Sequence, residues 1–334
     1  MSSGPALRIT SCRAARPEEW ESVCRECVHA TFFHTPWWAS VFCNAKNGRM
    51  EMAARVIAFS DGLSALVPLT RKRFPGKLLS VYWSSPANTY GGWLSLQPLT
   101  VEHGRLLINH LHQSFRDIVW RENPYDPHIN NLDIPRSMED FTQVIDLKDG
   151  PDAVKARSDY SHRRAVRKAI ESNVSIIEAS NFESWISYFS LYRASRVRWQ
   201  DKGLGRSREY SLDIFRSLYE CPAANRVLWL ALLDGAPIAG TLCFYWNRHA
   251  VSWSSAGNAE FFHRYRPNDL LYDRVIQHAA EHGYRWFDCN PSAGLQGVID
   301  FKQHLGAQKM RSRFVNKRSF IRRCANTLRS VIPV

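Results

Sequence analysis

The chain has 334 residues, 45% of them hydrophobic and 12% aromatic, which is ample for a packed core in one elaborated domain or two of common size and excludes wholesale disorder. Lys and Arg number 44 against 31 Asp and Glu, and the resulting charge of +13 favours a polyanionic partner: nucleic acid, a phosphorylated substrate or an anionic membrane. The most apolar stretch, Val227 to Trp246, is broken by Asp234-Gly235 and Pro237, so it reads as a hairpin and not a transmembrane helix, and MSSGPALRIT lacks the apolar core of a signal peptide.

The eight cysteines are scattered, and the chain reads as cytoplasmic with reduced thiols. Cys24 and Cys27 have CxxC spacing with His29 and His34 nearby, but without a fixed set of further ligands they read as helix packing and no metal site is expected.

In chain order, a strand at Leu7 to Thr10 precedes a helix from about Pro17, and Thr35-Pro36 supplies an N-cap and first residue for a helix beginning at Trp37. Two apolar runs flank Asp61-Gly62, a hairpin signal, and LLSVYWSSPANTYGGW follows with Tyr90 before a glycine pair. Leu106, Leu107, Leu111 and Phe115 keep a helical period, and INNLDI, Ile129 to Ile134, predicts a short strand ending at Pro135. SDYSHRRAVRKAIES then forms a basic helix: Val166, Ala169 and Ile170 mark its apolar face, and Arg163, Arg164, Arg167 and Lys168 make a stripe suited either to solvent or to phosphate. A second helix spans Glu183 to Arg198.

Past residue 226 the first pattern returns. Asp234-Gly235 repeats Asp61-Gly62, WSSAGN from Trp253 repeats WSSPAN from Trp83, Leu270-Leu271 repeats Leu106-Leu107, and WFDCNP closes the unit as LDIP closes the first. Four elements in one order predict two copies of one αβ unit, each a mostly antiparallel sheet with helices packed on it. The expected division is 1–146 for the first unit, 147–225 for a helical region belonging to the second, 226–308 for the second unit, and 309–334 for a basic end segment. That last segment, with Lys309, Arg311, Arg313, Lys317 and Arg318 and an apolar stripe from Phe320 onward, could dock on its own domain or lie peripherally on an anionic membrane or RNA.

Only the second copy continues into GLQGVIDFK. There a short strand, Arg285 to Cys289, runs into a loop whose Gly294 and Gly297 admit close approach of a ligand, and Lys302 offers one mobile cation beside it.

HTPWWASVF, YGGW, SHRRAVRKA and the WFD…FK…G ending, in this order over roughly 20 to 320, resemble the FemAB-like acyltransferases, including their BioF2-like branch. The resemblance implies an α+β fold of two tandem GNAT-like units and an enzyme that transfers an acyl group to an amine. Relatives use aminoacyl-tRNA to build peptide bridges on peptidoglycan precursors, or acylate exopolysaccharide or natural-product amines. It further implies that Phe301 and Lys302 match a Phe-Lys pair whose lysine binds the donor and stabilises charge. No tightly bound cofactor is expected; the donor is aminoacyl-tRNA or acyl-CoA as co-substrate. HRYRPNDLL and SLQPLTVEHG stand where a glycine-containing turn would cradle the CoA pyrophosphate, and neither turn has a glycine, which favours tRNA. The acceptor is a phosphorylated or envelope-linked amine, reached in the cytoplasm or at the inner membrane surface.

The catalytic candidates are Lys302, for the oxyanion, and Asp288, as a carboxylate base, although Asp133 holds the parallel place in the first copy. Trp37, Tyr90, Trp253, Ser255, Asn290 and Phe301 are candidate cleft lining, and Arg163 and Arg164 candidate phosphate contacts. Two alternatives stay open: an acyl-CoA-dependent N-acyltransferase on a polysaccharide sugar or natural-product amine, and a non-catalytic nucleic-acid or membrane-binding module.

Overall fold

The computed structural model describes residues 6–45, 50–74, 80–201 and 209–319. The chain divides into two compact units, residues 1–140 with 311–334 and residues 141–310.

The first unit contains strands β1 (Ile9–Ala14), β2 (Met50–Met52), β3 (Arg55–Phe59), β4 (Ser64–Val67), β5 (Thr70–Arg73), β6 (Ser80–Trp83) and β7 (Ile118–Arg121), with helices α1 (Pro17–Glu26), α2 (Pro36–Cys43) and α3 (Val101–Ser114). Thr35 caps α2 by accepting from Trp38 N at 3.2 Å, and Pro36 fills the first helical position, where a missing N–H costs nothing. Leu107 and Leu111 of α3 pack on Ile57, Val67 and Trp120.

The second unit contains β8 (Phe141–Asp146), α4 (Gly150–Arg157), α5 (Tyr160–Glu171), β9 (Ser175–Glu178), α6 (Phe182–Asp201), α7 (Leu212–Tyr219), β10 (Arg226–Leu233), β11 (Ala236–Trp246), β12 (His249–Gly257), α8 (Phe262–Tyr265), α9 (Pro267–Glu281), β13 (Trp286–Asp288), α10 (Gln296–His304) and β14 (Gln308–Arg311). Its strands form one sheet in the order β14-β8-β13-β12-β11-β10-β9, in which β12 and β13 pair in parallel and the β8–β13, β11–β12, β10–β11 and β9–β10 pairs are antiparallel. The β10–β11 hairpin turns at Asp234 (φ 50°) and Gly235 (φ 79°), the two successive left-handed residues that a tight hairpin demands. Leu271, Val275 and Ala279 recur at helical spacing along α9 and press it onto Trp229, Ala231 and Phe287. Asp159 caps α5 through Ser161 N at 2.7 Å, and Ala165, Val166 and Ala169 are the buried side of that helix.

The last described strand, β15 (Phe314–Lys317), pairs with β7 of the first unit, where the first unit's five-stranded sheet runs β15-β7-β6-β5-β2. Two boundaries therefore differ from the sequence reading. Residues 141–146, assigned to the first unit, form β8 and pair with β13, and residues 311–319 add an edge strand to the first unit. INNLDI is a 3-10 turn over Ile129–Asn131 and not a strand, because its carbonyls serve a side chain: Arg313 donates to Ile129 O at 2.8 Å and Leu132 O at 2.7 Å. The same guanidinium pairs with Glu122, wholly buried, at 2.9 Å. Lys317 likewise turns inward, to the carbonyls of His112 and Phe115. The apolar stripe from Phe320 onward lies outside the described residues.

Arg313→Ala leaves the Glu122 carboxylate buried without its cation, and a loss of about 3–5 kcal/mol is expected. Urea unfolding of the variant beside the wild-type chain measures it.

Candidate functional site

Strands β12 and β13 pair only from His249–Trp286 to Val251–Asp288. Beyond that point the backbone ladder between them stops. Asn290, with φ 61°, turns the chain out of β13, and its side-chain Nδ2 donates to Ser252 O at 2.7 Å, so a side chain bridges where main chain has ceased to. Parallel strands that part in this way open a gap at their carboxyl ends, the position at which α/β sheets take ligands.

Four buried groups fix the rim of the gap. Asp288, 0% exposed, accepts from Asn290 N at 2.7 Å and from the Thr142 hydroxyl. Gln143 accepts from Ser292 Oγ at 2.6 Å and donates to Ile299 O at 3.0 Å, tying the loop to α10. Asp288 is thus an anchor of the loop, its carboxylate turned to Thr142 and Asn290 within the interior. Cys289 is buried as well, and burial pushes its thiol up to about 12, which keeps it from acting as a thiolate near neutral pH.

Lys302 is 5% exposed and donates from Nζ to Asn290 O at 2.6 Å. The sequence suggested a mobile cation; the structure fixes it, because α10 starts at Gln296 and carries residue 302 inward beneath the loop. Burial lowers its pKa, with Cys289 and Asp288 pulling the other way. Gly294 has φ 76°, the left-handed angle its loop needs, whereas Gly297 sits in the first turn of α10.

Phe301 packs edge-on against Tyr272 of α9, ring centroids 5.4 Å apart. The Tyr272 hydroxyl meets Ser255 Oγ at 2.7 Å and Ser252 Oγ at 2.9 Å, and Thr241 Oγ1 of β11 meets the same two serines at 2.8 and 2.9 Å. Ser255 is exposed, while Ser252, Thr241 and Tyr272 are buried. A register shift between Leu242 and Cys243 in the β11–β12 ladder places both serines toward α9.

Of the residues singled out from sequence, Lys302, Asp288, Asn290, Phe301 and Ser255 come together here. Trp253 does not; it packs with Tyr210 of the 209–211 segment, Phe215 of α7 and Phe244 of β11, in an aromatic group that leaves Ser252 and Ser255 on the other side of the sheet. Arg163 is half-buried and bonds back to Ser158 O, leaving Arg164 and Arg167 exposed on α5. Trp37 and Tyr90 belong to the first unit: Trp37 is partly exposed at the start of α2, and Tyr90, 1% exposed, packs on Phe33 and Tyr125. Cys24 and Cys27 are buried, Cys24 Sγ bonding His34 O at 3.2 Å. Thr241, Ser252, Tyr272 and Gln143 escaped sequence reading. The doubled serine of WSSAGN was the one available signal, since Tyr272 is hidden in the apolar period of its helix.

The first unit has the matching parallel pair, β6 with β7, but there the gap is closed by its own chain. Ser84 Oγ accepts from Arg121 N at 2.9 Å, and Gly91 N and Gly92 N both donate to Arg121 O, at 3.2 and 2.7 Å. A Cβ on Gly91 would stand 2.2 Å from Ser84 O, so the segment fits only without a side chain.

The start of α9 is also filled. Pro267 removes one N–H, Asp269 N and Leu270 N both bond back to Arg266 O, and the Asp269 carboxylate is buried against Arg266 (3.2 Å) and His162 of α5 (3.3 Å). The other His162 nitrogen faces Asp273 at 3.8 Å.

No curated protein matches this sequence. Residues 155–303 match the family model described as the acetyltransferase (GNAT) domain. The match lies wholly within the second unit. Among solved structures, FemX superposes with a TM-score of 0.67 at 12% identity, over 92% of this chain and 97% of that one. L-PGS from Bacillus licheniformis gives 0.51 at 13% identity, over 91% and 92%. The C-terminal domain of a putative lysylphosphatidylglycerol synthetase from Agrobacterium fabrum gives 0.50 at 11% identity, over 83% and 88%. The chain therefore shares its fold with FemX across nearly its whole length, in line with the tandem units expected from the repeat in the sequence, and the family match over residues 155–303 supports an acyltransferase.

Burial opposes a charge on His162, yet Asp269 and Asp273 outweigh it and hold the imidazole above its usual 6.5. A raised folded value means that the charged imidazole's stabilisation is complete below about pH 6.5 and fades as pH rises through that raised value. His162→Gln is expected to cost most stability in the acidic range and progressively less above it; urea midpoints of both proteins from about pH 5 to about pH 9 measure the difference.

Proposed function

We propose that this chain joins an activated aminoacyl group to an amine, with aminoacyl-tRNA as the favoured donor and an amine on a cell-envelope precursor, polysaccharide or small molecule as acceptor. The observation that carries this reading is the Lys302 ammonium, buried at the open end of the β12–β13 gap with Asn290 O engaging one of its three N–H donors. Attack of an amine on an ester carbonyl builds negative charge on the carbonyl oxygen. A cation already desolvated and held in place by α10 stabilises that charge far more than one in water and needs no reorganisation as it does so. Phe301, next to it, offers an apolar wall for the donor side chain.

The donor preference rests on the start of α9. An anion such as the CoA pyrophosphate binds helix N-termini through free N–H groups and the positive end of the dipole. Here a carboxylate of the chain itself, Asp269, occupies that end, and two of the first N–H groups are spent on Arg266 O. The exposed Arg164 and Arg167 of α5 suit tRNA phosphates. An acyl-CoA donor is the second reading, favoured by the acetyltransferase description of the matching family.

An aminoacylated tRNA is expected to raise the melting temperature and coenzyme A to leave it unchanged; a shift with coenzyme A alone selects the second reading. Lys302→Ala, folded by circular dichroism, is expected to lose about 10²–10³-fold in transfer rate, followed with a labelled aminoacyl donor. Full activity of that variant would remove Lys302 from the chemistry.

A further inference from the structure

Four hydroxyls of β11, β12 and α9 form a closed ring. Ser252 to Tyr272 is 2.9 Å, Tyr272 to Ser255 is 2.7 Å, Ser255 to Thr241 is 2.8 Å and Thr241 to Ser252 is 2.9 Å. Each member has one proton to give and lone pairs to accept, so four protons close four bonds in either of two senses, and a proton entering at one member and leaving at another reverses the sense without leaving a net charge inside. Three members are buried, where an uncompensated charge would be expensive. The fourth, Ser255, is exposed. The ring touches the catalytic elements on two sides: Ser252 O holds Asn290, which holds Lys302, and the Tyr272 ring packs on Phe301. Hydrophobic side chains would have packed the space under a β-strand at lower cost, so this much buried hydroxyl chemistry at the end of the gap calls for a use.

We propose that this ring is the proton-transfer element of the acyl transfer, with Ser255 Oγ as the catalytic group that protonates the leaving oxygen and Tyr272 as the positioning residue that resupplies it. This rests on the amide-forming reading above. The acceptor nitrogen forms its bond to the carbonyl carbon, and the tetrahedral intermediate then carries a positive nitrogen and a negative oxygen. As the carbon–oxygen ester bond breaks, the leaving oxygen takes the Ser255 proton, Ser255 takes one from Tyr272, and the nitrogen releases its surplus proton to the ring. The products are a neutral amide and a neutral alcohol, and the ring ends neutral, with its four bonds running in the opposite sense. Burial first of all, with the neighbouring Cys289 adding to it, pushes the Tyr272 hydroxyl up to about 12, so it stays protonated and ready to donate across the neutral range. An alkoxide leaving group requires such a proton and an activated phenolate does not, so the leaving group decides whether the ring matters.

The test compares Tyr272→Phe and Ser255→Ala with the full wild-type chain, using hydroxylamine as the acceptor amine and two donors that differ in leaving group: the aminoacyl ester of adenosine and the same aminoacyl group as its 4-nitrophenyl ester. Tyr272→Phe keeps the ring that packs on Phe301, and Ser255 is exposed, so both variants keep the packing of the unit; thermal melts check that they do. The expected result is a fall in kcat of about 10²-fold with the adenosine ester and under about 5-fold with the 4-nitrophenyl ester, KM changing little for either. Equal losses with both donors, or no loss with the adenosine ester, overturn the proposal and leave acyl transfer intact. Absence of any transfer by the wild-type chain overturns the acyl-transfer reading, and this one with it.

Discussion

The second unit depends on one interruption: the hydrogen-bond ladder between β12 and β13 ends at Val251 and Asp288, and past that point the Asn290 side chain links the two strands' continuations. Buried main-chain groups must find partners, and a sheet that simply stopped would leave Ser252 O without one. Asn290 meets that requirement at the rim and leaves the strands apart. Lys302 then has a fixed carbonyl to rest on, Asp288 a main-chain N–H to hold, and Phe301 a place against Tyr272. Each of these contacts depends on the strands having parted.

The two copies of the unit treat the interruption differently. Both have a parallel pair in mid-sheet, yet in the first the gap is closed by Gly91 and Gly92 on Arg121 O. Duplication frees one copy from a constraint that the other still meets. In the first unit that place is packed, with Tyr90 buried beside Phe33, and in the second hydroxyls, an amide and an ammonium stand around it.

Much of this was legible in the sequence. The Asp-Gly turns, the WSS segments and the recurring leucine pairs showed the tandem architecture because turn chemistry and period are local properties, readable wherever they fall. Phe301 and Lys302 stood out because only one copy extends beyond its closing strand. Partnership between distant residues could not be read. Gln143 and Thr142 look like ordinary strand residues until the fold brings them to Ser292 and Asp288, and Tyr272 looks like one more apolar position on a helix. INNLDI has the composition of a strand, but a guanidinium from residue 313 claims its carbonyls. Asp288 read as a base because a carboxylate near a loop has the right chemistry; its neighbours give it a fixed structural post.

The return of β15 to the first unit has a consequence for synthesis of the chain. A ribosome delivers residues in order, and domains generally fold as they emerge, the N-terminal one first. Here the N-terminal unit lacks its edge strand until residues 314–317 appear, and Glu122 lacks its cation until residue 313 does. Residues 141–310 are complete before that. The later-encoded unit therefore has its whole sheet available while the earlier one still waits, holding a carboxylate in need of a partner. Of the two units, the one encoded first is the one whose assembly finishes last.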